Sequence, residues 1–187
     1  SGQHSMMNEL DEPHPLNVYA KTKYQAENEV LKHCPDALVI RTNFYGWGTS
    51  YRQSFSDIIL TELKNGREIT LFEDYYSCPI LIEYLILATH ELIALDQSGI
   101  FHVVGDERVS KYQFGVELAD RFGVDKLLIK KGSLLDERNL VIRPLDMSLA
   151  NEKVKTVLAR NLGGLDEQLQ NLMLQKTTGF ATWINKI

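Results

Sequence analysis

The stretch PLNVYAKTKYQAENEV places a tyrosine, Tyr19, four residues before a lysine, Lys23. Residues four apart on a helix lie on the same face, so the phenol and the ammonium can reach one ligand. A free tyrosine is a poor acid at neutral pH because its pKa is about 10, and a neighbouring ammonium favours the phenolate. Such a pair can donate a proton to a carbonyl oxygen while hydride arrives at the carbon, as in a carbonyl reductase.

This spacing is not specific by itself. The chain has eight tyrosines, and with about one residue in sixteen being lysine, about 0.5 Tyr-x-x-x-Lys matches are expected by chance. The alternative is a solvated helix surface on which Tyr19 and Lys23 have no catalytic role. The pair therefore needs further context before a function can be inferred from it.

The elements that position the pair can be predicted from local signals. Asn17 can cap a helix from Val18 to about His33, and Pro35 prevents its continuation. ALVIRT, residues 37–42, is an apolar run without alternation, which is typical of a strand buried on both faces of a parallel sheet. Further helices are expected from 55 to Gly66, over 81–95, from Ser110 to Gly123, over 150–159 and over 166–187, and further strands at EITLF, GIFHVVG and KLLIKKG. This alternation predicts an α/β fold.

Composition excludes several classes of protein. The chain of 187 residues is 44% hydrophobic and 24% charged, as in an ordinary globular domain, and its net charge of −5 gives no support for a nucleic-acid or anionic-membrane partner. The longest apolar stretch, PILIEYLILATHELIAL, is interrupted by Glu83, His90 and Glu91, which predicts a buried amphipathic helix and not a membrane span. No secretory signal is visible, so we expect a cytoplasmic protein.

Metal and disulfide chemistry are also not expected. The five histidines, His4 among them, lack paired ligand spacing. Cys34 and Cys78 lack CxxC spacing, and we expect both to be buried thiols in a reducing compartment.

Five segments together are more specific than the tyrosine and lysine alone. DEPHPLNVYAKTKYQAENEV, RTNFYGWG, SCPILIEYLILATHELI, SGIFHVVGDERVSKYQFGVELADRFG and RPLDMSLANEKV follow one another in the sequence. In this order they resemble the extended short-chain dehydrogenase/reductase family, and most closely its dTDP-4-dehydrorhamnose reductase branch. The resemblance covers most of the chain from about Asn8 to Leu158 and implies a partial Rossmann-like parallel sheet with a small C-terminal substrate-binding region.

The resemblance also implies roles for individual residues. Tyr19 corresponds to the general acid, and Lys23 to the residue that promotes its ionisation and binds the nicotinamide ribose. RTNFYG lies beside cofactor and sugar, which places Thr42 at the cofactor, NADP or NAD, and Asn43 at a nucleotide-sugar substrate. Arg143, in RPLD, falls where related enzymes contact the nucleotide diphosphate, and a guanidinium suits phosphate oxygens.

Structural roles are the alternatives for two of these residues. Asn43 can cap a loop, and Arg143 can pair with Asp146 without contacting any ligand. The resemblance assigns no metal.

The sequence departs from the family in one respect. Its twelve glycines include no G-x-G-x-x-G or G-x-x-G-x-x-G fingerprint for the cofactor pyrophosphate, and Ser1 and Ser5 are in the wrong context to assist the tyrosine. We therefore expect a C-terminal part of a reductase, with 1–48 ending the dinucleotide-binding domain and 49–187 forming mostly the substrate-binding region, interleaved with a late Rossmann strand. Alone it is expected to be inactive, to bind NAD(P)(H) negligibly, and to need an N-terminal segment or a homo-oligomer partner.

Two other functions are compatible with the same residues. One is a non-catalytic regulatory or binding subunit with a reductase-like fold, as in the beta subunit of methionine adenosyltransferase. The other is an epimerase or dehydratase of sugar nucleotides, since these enzymes use the same tyrosine and lysine.

Overall fold

A computed structural model describes residues 5–137, 141–184 and 186. Its helices are α1 (Val18–His33), α2 (Phe55–Lys64), α3 (Ile82–Ala94), α4 (Lys111–Phe122), α5 (Glu152–Leu158), α6 (Leu165–Thr177) and α7 (Phe180–Ile184). Its strands are β1 (Leu38–Arg41), β2 (Phe44–Tyr45), β3 (Ile69–Phe72), β4 (Tyr76–Ser77), β5 (Ile80–Leu81), β6 (Gly99–His102), β7 (Val109–Ser110) and β8 (Ile129–Gly132).

Most of the strand pairing is parallel. β1 pairs with β6, with Leu38 opposite Gly99 and Arg41 opposite His102. β2 pairs with β5 and β3 with β8, both in parallel, whereas β4 and β7 form a short antiparallel pair. Helices connect the parallel partners, as parallel strands require. The predicted α/β class with a parallel sheet is therefore confirmed.

Side-chain caps fix the ends of the two helices on which the site depends. The Asn17 side chain accepts a hydrogen bond from the Ala20 amide at 2.9 Å and begins α1 where the sequence predicts it. At α4, Ser110 and Gln113 form the expected capping box, and Gly123 ends the helix in the left-handed conformation at φ 64°. These caps determine the direction in which the first turn of each helix points.

Two clusters of buried side chains form the core. One lies among α2, α4, α6, β3 and β8 and includes Leu60, Phe114 and Leu169. The other packs β6 against α3 and α5 and includes Phe101 and Leu92. Tyr45 and Phe114 of the first cluster also line a cavity that is described below.

The strand predicted at residues 37–42 is less buried than expected. β1 forms at Leu38–Arg41, but each of its residues remains partly exposed. β6 covers one edge, and in the described part of the chain no strand pairs with the other edge. β1 has the apolar composition of a buried strand, but because one of its edges is unpaired its side chains are not fully covered.

The helix predicted at 81–95 forms and is amphipathic, as expected. α3 buries Ala88 and Leu92, whereas Ile86, Leu87 and Ile93 are about half exposed. Only one stripe of this helix meets the core, because a helix presents one face to a single neighbouring layer. Within the described residues, no helix is long and apolar enough to cross a membrane.

Two further predictions were wrong in detail. The single helix predicted at 166–187 is divided into α6 and α7, because Gly179 adopts a left-handed conformation at φ 84°; Asn185 and Ile187 lie outside the described residues. Cys34 is exposed, because it follows the last turn of the surface helix α1, whereas Cys78 is buried as expected.

Candidate active site

The phenol and the ammonium of the Tyr-x-x-x-Lys pair lie side by side on α1. The Lys23 Nζ is 5.8 Å from the centroid of the Tyr19 ring, and the Tyr19 side chain is 71% exposed. α1 has no fully buried residue along its length. Both groups are therefore accessible to a ligand that approaches this face of the helix.

A cavity of about 250 Å³ adjoins the same helix. Lys23 lines it together with Asn17 and Pro144. At its inner side Arg41 forms a bidentate ion pair with Glu27, with a closest distance of 2.6 Å. We refer to this space as the α1 cavity.

A second cavity, of about 310 Å³, opens after β1 and is lined by Thr42 and Asn43. We call it the aromatic cavity because Phe44, Tyr45, Phe55, Tyr75 and Phe114 also line it. Phe55 and Phe114 stack with ring centroids 5.8 Å apart, and Tyr45 meets Phe114 edge to face at 5.0 Å. A rigid aromatic wall of this kind can hold a planar base or the apolar face of a sugar.

Thr42 and Asn43 differ in how far their polar atoms are satisfied. The Thr42 hydroxyl is buried and has no hydrogen-bond partner among the described residues. The Asn43 side chain donates to the Met147 carbonyl at 3.4 Å, which is a long hydrogen bond. The backbone carbonyl of Asn43 accepts from the Ile80 amide at 2.9 Å. Buried polar groups are normally paired, so the Thr42 hydroxyl is available to a ligand.

Arg143 does not form the ion pair with Asp146 that was considered above. Asp146 is bound instead by Arg108 at 2.7 Å. Burial raises the pKa of Tyr75, and the charge of Arg143 opposes this rise. Burial lowers the pKa of Lys111, and Arg143 lowers it further. Arg143 thus stands close to two residues that line the cavity.

The segment that carries Arg143 contacts α1. The Asn17 side chain, which caps α1, donates to the Ile142 carbonyl at 3.0 Å. Pro144, on the other side of Arg143, lines the α1 cavity. The structure therefore places Tyr19 and Lys23 together on α1, with Lys23 at the α1 cavity, and brings Thr42 and Asn43 together at the aromatic cavity.

Lys111, a partly buried cation that lines the aromatic cavity, was not predicted from the sequence. Its Nζ lies 4.4 Å from the Phe55 ring centroid and 5.1 Å from that of Tyr75. One signal was present in the sequence: Lys111 follows the Ser110 cap, and a cation in the first turn of a helix opposes the helix dipole.

In the parts of the chain that the structure describes, no group of three or more His, Cys, Asp or Glu residues is placed to hold a metal ion. His4 lies outside those residues. His102 is fully buried in β6, with Nδ1 3.2 Å from the Ala150 carbonyl and Nε2 3.5 Å from the Arg41 guanidinium.

Burial of His102 makes stability depend on pH. Burial lowers its pKa, as does Arg41, while Glu9 opposes the shift. The unfolded chain therefore binds this proton at higher pH than the folded chain, and the free energy of unfolding should fall as pH decreases below about 6.5. We expect His102→Gln to make the slope of this dependence shallower, measured by urea unfolding at several pH values. An unchanged slope would exclude His102 as the cause.

The parallel strand pairs, with a Tyr–Lys helix leading into β1, define the class of this protein as Rossmann-like, the fold of nucleotide-dependent reductases and dehydratases. The chain belongs to the extended short-chain dehydrogenase/reductase family in its RmlD-like branch, because the model of the RmlD substrate binding domain matches residues 1–178.

Individual relatives agree with this assignment. The chain is 30% identical to the probable low-salt glycan biosynthesis reductase Agl14 of Haloferax volcanii over 88% of its own length and 56% of that protein. It is 28% identical to methionine adenosyltransferase 2 subunit beta of Danio rerio over 66% of its length and 40% of that subunit.

Solved structures show the same fold. The structure superposes on a dTDP-4-dehydrorhamnose reductase from Bacillus anthracis in complex with NADP with a TM-score of 0.84 at 19% identity, covering 93% of this chain and 61% of that one. For a hypothetical dTDP-4-dehydrorhamnose reductase from Sulfolobus tokodaii the TM-score is 0.73 at 29% identity, covering 88% and 57%. The chain thus spans less than two thirds of each of these relatives.

Proposed function

We propose that this chain is the C-terminal part of an NAD(P)H-dependent reductase that acts on the 4-keto group of a 6-deoxy sugar nucleotide. The observation that carries the proposal is the accessible Tyr19–Lys23 pair on α1, in a chain that belongs to a family with reductases among its members. An exposed phenol with an ammonium beside it has the chemistry of a proton donor to a carbonyl oxygen.

In the proposed reaction the Tyr19 hydroxyl donates its proton to the carbonyl oxygen of the substrate. A bound nicotinamide supplies the hydride that forms the new carbon–hydrogen bond, so ketone, hydride and proton give the alcohol. The Lys23 ammonium, 5.8 Å from the Tyr19 ring centroid, stabilises the phenolate that remains. Solvent then returns a proton to Tyr19.

The residues of this chain fit the nicotinamide end of such a cofactor. Lys23 lines the α1 cavity and has donors for ribose hydroxyls, and the buried Thr42 hydroxyl lacks a partner among the described residues. The sequence contains no glycine fingerprint for the pyrophosphate. We therefore assign Tyr19, Lys23 and Thr42 to the cofactor and no residue of this chain to its pyrophosphate.

Substrate recognition is assigned to the aromatic cavity. Asn43 lines it and can exchange its long hydrogen bond to Met147 for one to a sugar hydroxyl. Arg143, free of Asp146, has a guanidinium suited to a diphosphate.

The open edge of β1 supports the proposed division of the protein. Residues 1–48 would complete a dinucleotide-binding domain whose earlier strands lie in an N-terminal segment, and 49–187 would form mostly the substrate-binding region. Because an unpaired strand edge favours pairing, a segment from the same polypeptide or from a second copy is expected to cover β1, which has no partner on that side in the described chain.

A second candidate is a non-catalytic subunit. The similarity to methionine adenosyltransferase 2 subunit beta of Danio rerio favours it. In that case the cavities would bind a ligand or a partner protein without turnover.

The test uses the full-length protein with NADPH and NADH and a panel of 4-keto-6-deoxy sugar nucleotides. We expect cofactor oxidation in step with reduction at C4, followed by absorbance and by NMR of the product. A dehydrated or epimerised product without net cofactor consumption would contradict the proposal in favour of a dehydratase or epimerase. Absence of turnover on the whole panel, together with a stable co-purifying protein, would favour the subunit.

A further inference from the structure

Lys111 stands at the wall of the aromatic cavity without a counter-charge. It lines the cavity, and its ammonium lies over the rings of Phe55 and Tyr75 at 4.4 and 5.1 Å. No carboxylate pairs with it in the described ranges of the chain. A partly buried cation that meets only aromatic faces is poorly compensated for its lost hydration.

Two other positive groups act on the same ammonium. Lys111 occupies the first position of α4, where the partial positive charge of the helix end is largest. Arg143 is close enough to depress the pKa of Lys111 further, after burial. Positive charge therefore accumulates at this wall, which is the condition for binding an anion.

The helix end itself is already occupied. The Ser110 hydroxyl accepts from the Gln113 amide at 3.1 Å, and the Gln113 side chain accepts from the Ser110 amide at 2.8 Å. The Lys111 amide donates to the Tyr75 carbonyl at 3.1 Å. An anion at this wall is thus recognised by the side chain of Lys111 and not by the free amides of the helix.

We propose that Lys111 is a specificity-determining residue of the aromatic cavity, which selects ligands with a phosphoryl group and binds their diphosphate jointly with Arg143. The inference rests on the proposed function in so far as that function makes this cavity the substrate pocket. The nucleoside or sugar then packs on the aromatic wall.

A bound diphosphate would relieve the strain on this ammonium. Burial and Arg143 hold the pKa of Lys111 below that of an ordinary lysine, and Tyr75 is the other titratable group beside it. A diphosphate next to the ammonium favours its charged form and therefore opposes both effects.

The experiment is calorimetric titration of the full-length protein with dTDP, thymidine and pyrophosphate. Lys111→Met removes the charge and keeps the length of the side chain, Lys111→Arg keeps a charge that does not titrate, and Lys130→Met is the matched control at an exposed lysine of β8 paired with Glu68. Thermal unfolding establishes that each variant is folded.

We expect Lys111→Met to weaken dTDP binding by about 10- to 100-fold, the range for a charge-assisted hydrogen bond, with thymidine binding unchanged. Lys111→Arg should retain most of the affinity because it keeps the charge, whereas Arg143→Met should lose affinity. If Lys111→Met weakens pyrophosphate binding as much as dTDP binding, that result supports the same assignment.

The inference is overturned if Lys111→Met changes dTDP affinity no more than Lys130→Met does, or if it weakens thymidine binding to the same extent, because Lys111 would then only pack on the aromatic rings. Undetectable binding of both dTDP and pyrophosphate would also overturn it. A protein that binds dTDP through Lys111 but reduces no sugar nucleotide would keep this inference and lose the proposed reaction.

Discussion

Replacing Tyr19 by Phe in the full-length protein is expected to lower kcat for sugar-nucleotide reduction by roughly 10²- to 10⁴-fold, the usual contribution of general acid catalysis. The substitution removes one hydroxyl from a side chain that is 71% exposed on α1. Such a change leaves the core and the Asn17 cap intact, so stability should stay within about 0.5 kcal/mol of the parent protein.

Measuring cofactor affinity distinguishes a role of Tyr19 as proton donor from a general disruption of the cofactor site. Because Lys23 and Thr42 are the proposed cofactor contacts that remain, Tyr19→Phe should leave the Kd for NAD(P)H nearly unchanged, measured by fluorescence titration. Tyr51→Phe is a suitable control, since Tyr51 is 80% exposed in the turn between β2 and α2. Turnover by Tyr19→Phe at the parent rate would reject Tyr19 as the acid.

Replacing Gln168 by Leu is expected to lower the free energy of unfolding by about 3 kcal/mol or more. Gln168 is a fully buried polar residue of α6. Its side-chain oxygen accepts from the Leu81 amide at 2.6 Å, and its nitrogen donates to the carbonyls of Leu162 and Gly163 at 3.0 and 2.8 Å. Leucine has a similar volume but leaves the Leu81 amide and the Leu162 carbonyl buried without a partner, each at a cost of about 1–3 kcal/mol. The Gly163 carbonyl also loses its bond to Gln168 but still accepts from the Asp106 amide at 3.2 Å.

The measurement is urea unfolding of the parent and variant proteins at equal temperature. Gln170→Leu provides the control on the same helix, because Gln170 is exposed and bonds only the Arg121 side chain among the described residues; its effect should stay within about 0.5 kcal/mol. Equal midpoints for Gln168→Leu and Gln170→Leu would show that the buried network contributes little. A loss at Gln168 alone would identify it as the connection between α6 and the start of α3.

Much of the local structure could be predicted from the sequence. The Asn17 cap, the Ser110–Gln113 capping box and the left-handed Gly123 all lie where local patterns place them, because a helix end depends on the few residues around it. The parallel character of the sheet was predicted from apolar composition and from the alternation of helices and strands, whereas the pairing of β1 with β6 came only from the structure.

Burial was predicted less well. The apolar run at β1 indicated burial on both faces, yet every residue of β1 is partly exposed. The amphipathic helix predicted at α3 forms, but the sequence did not specify that Ile86, Leu87 and Ile93 would stay about half exposed. A hydrophobic run shows that a segment can be buried, but the neighbouring layers determine how much of it is covered.

The sequence by itself determined the α/β class and placed Tyr19 and Lys23 on one helix face, because both follow from short-range periodicity and spacing. Only the tertiary structure decided that Asp146 binds Arg108 and leaves Arg143 beside Lys111. It also decided that Gln168 satisfies the backbone at Leu81. These residues are tens of positions apart in the chain, and contacts of that kind depend on how helices and strands pack, which no local pattern specifies.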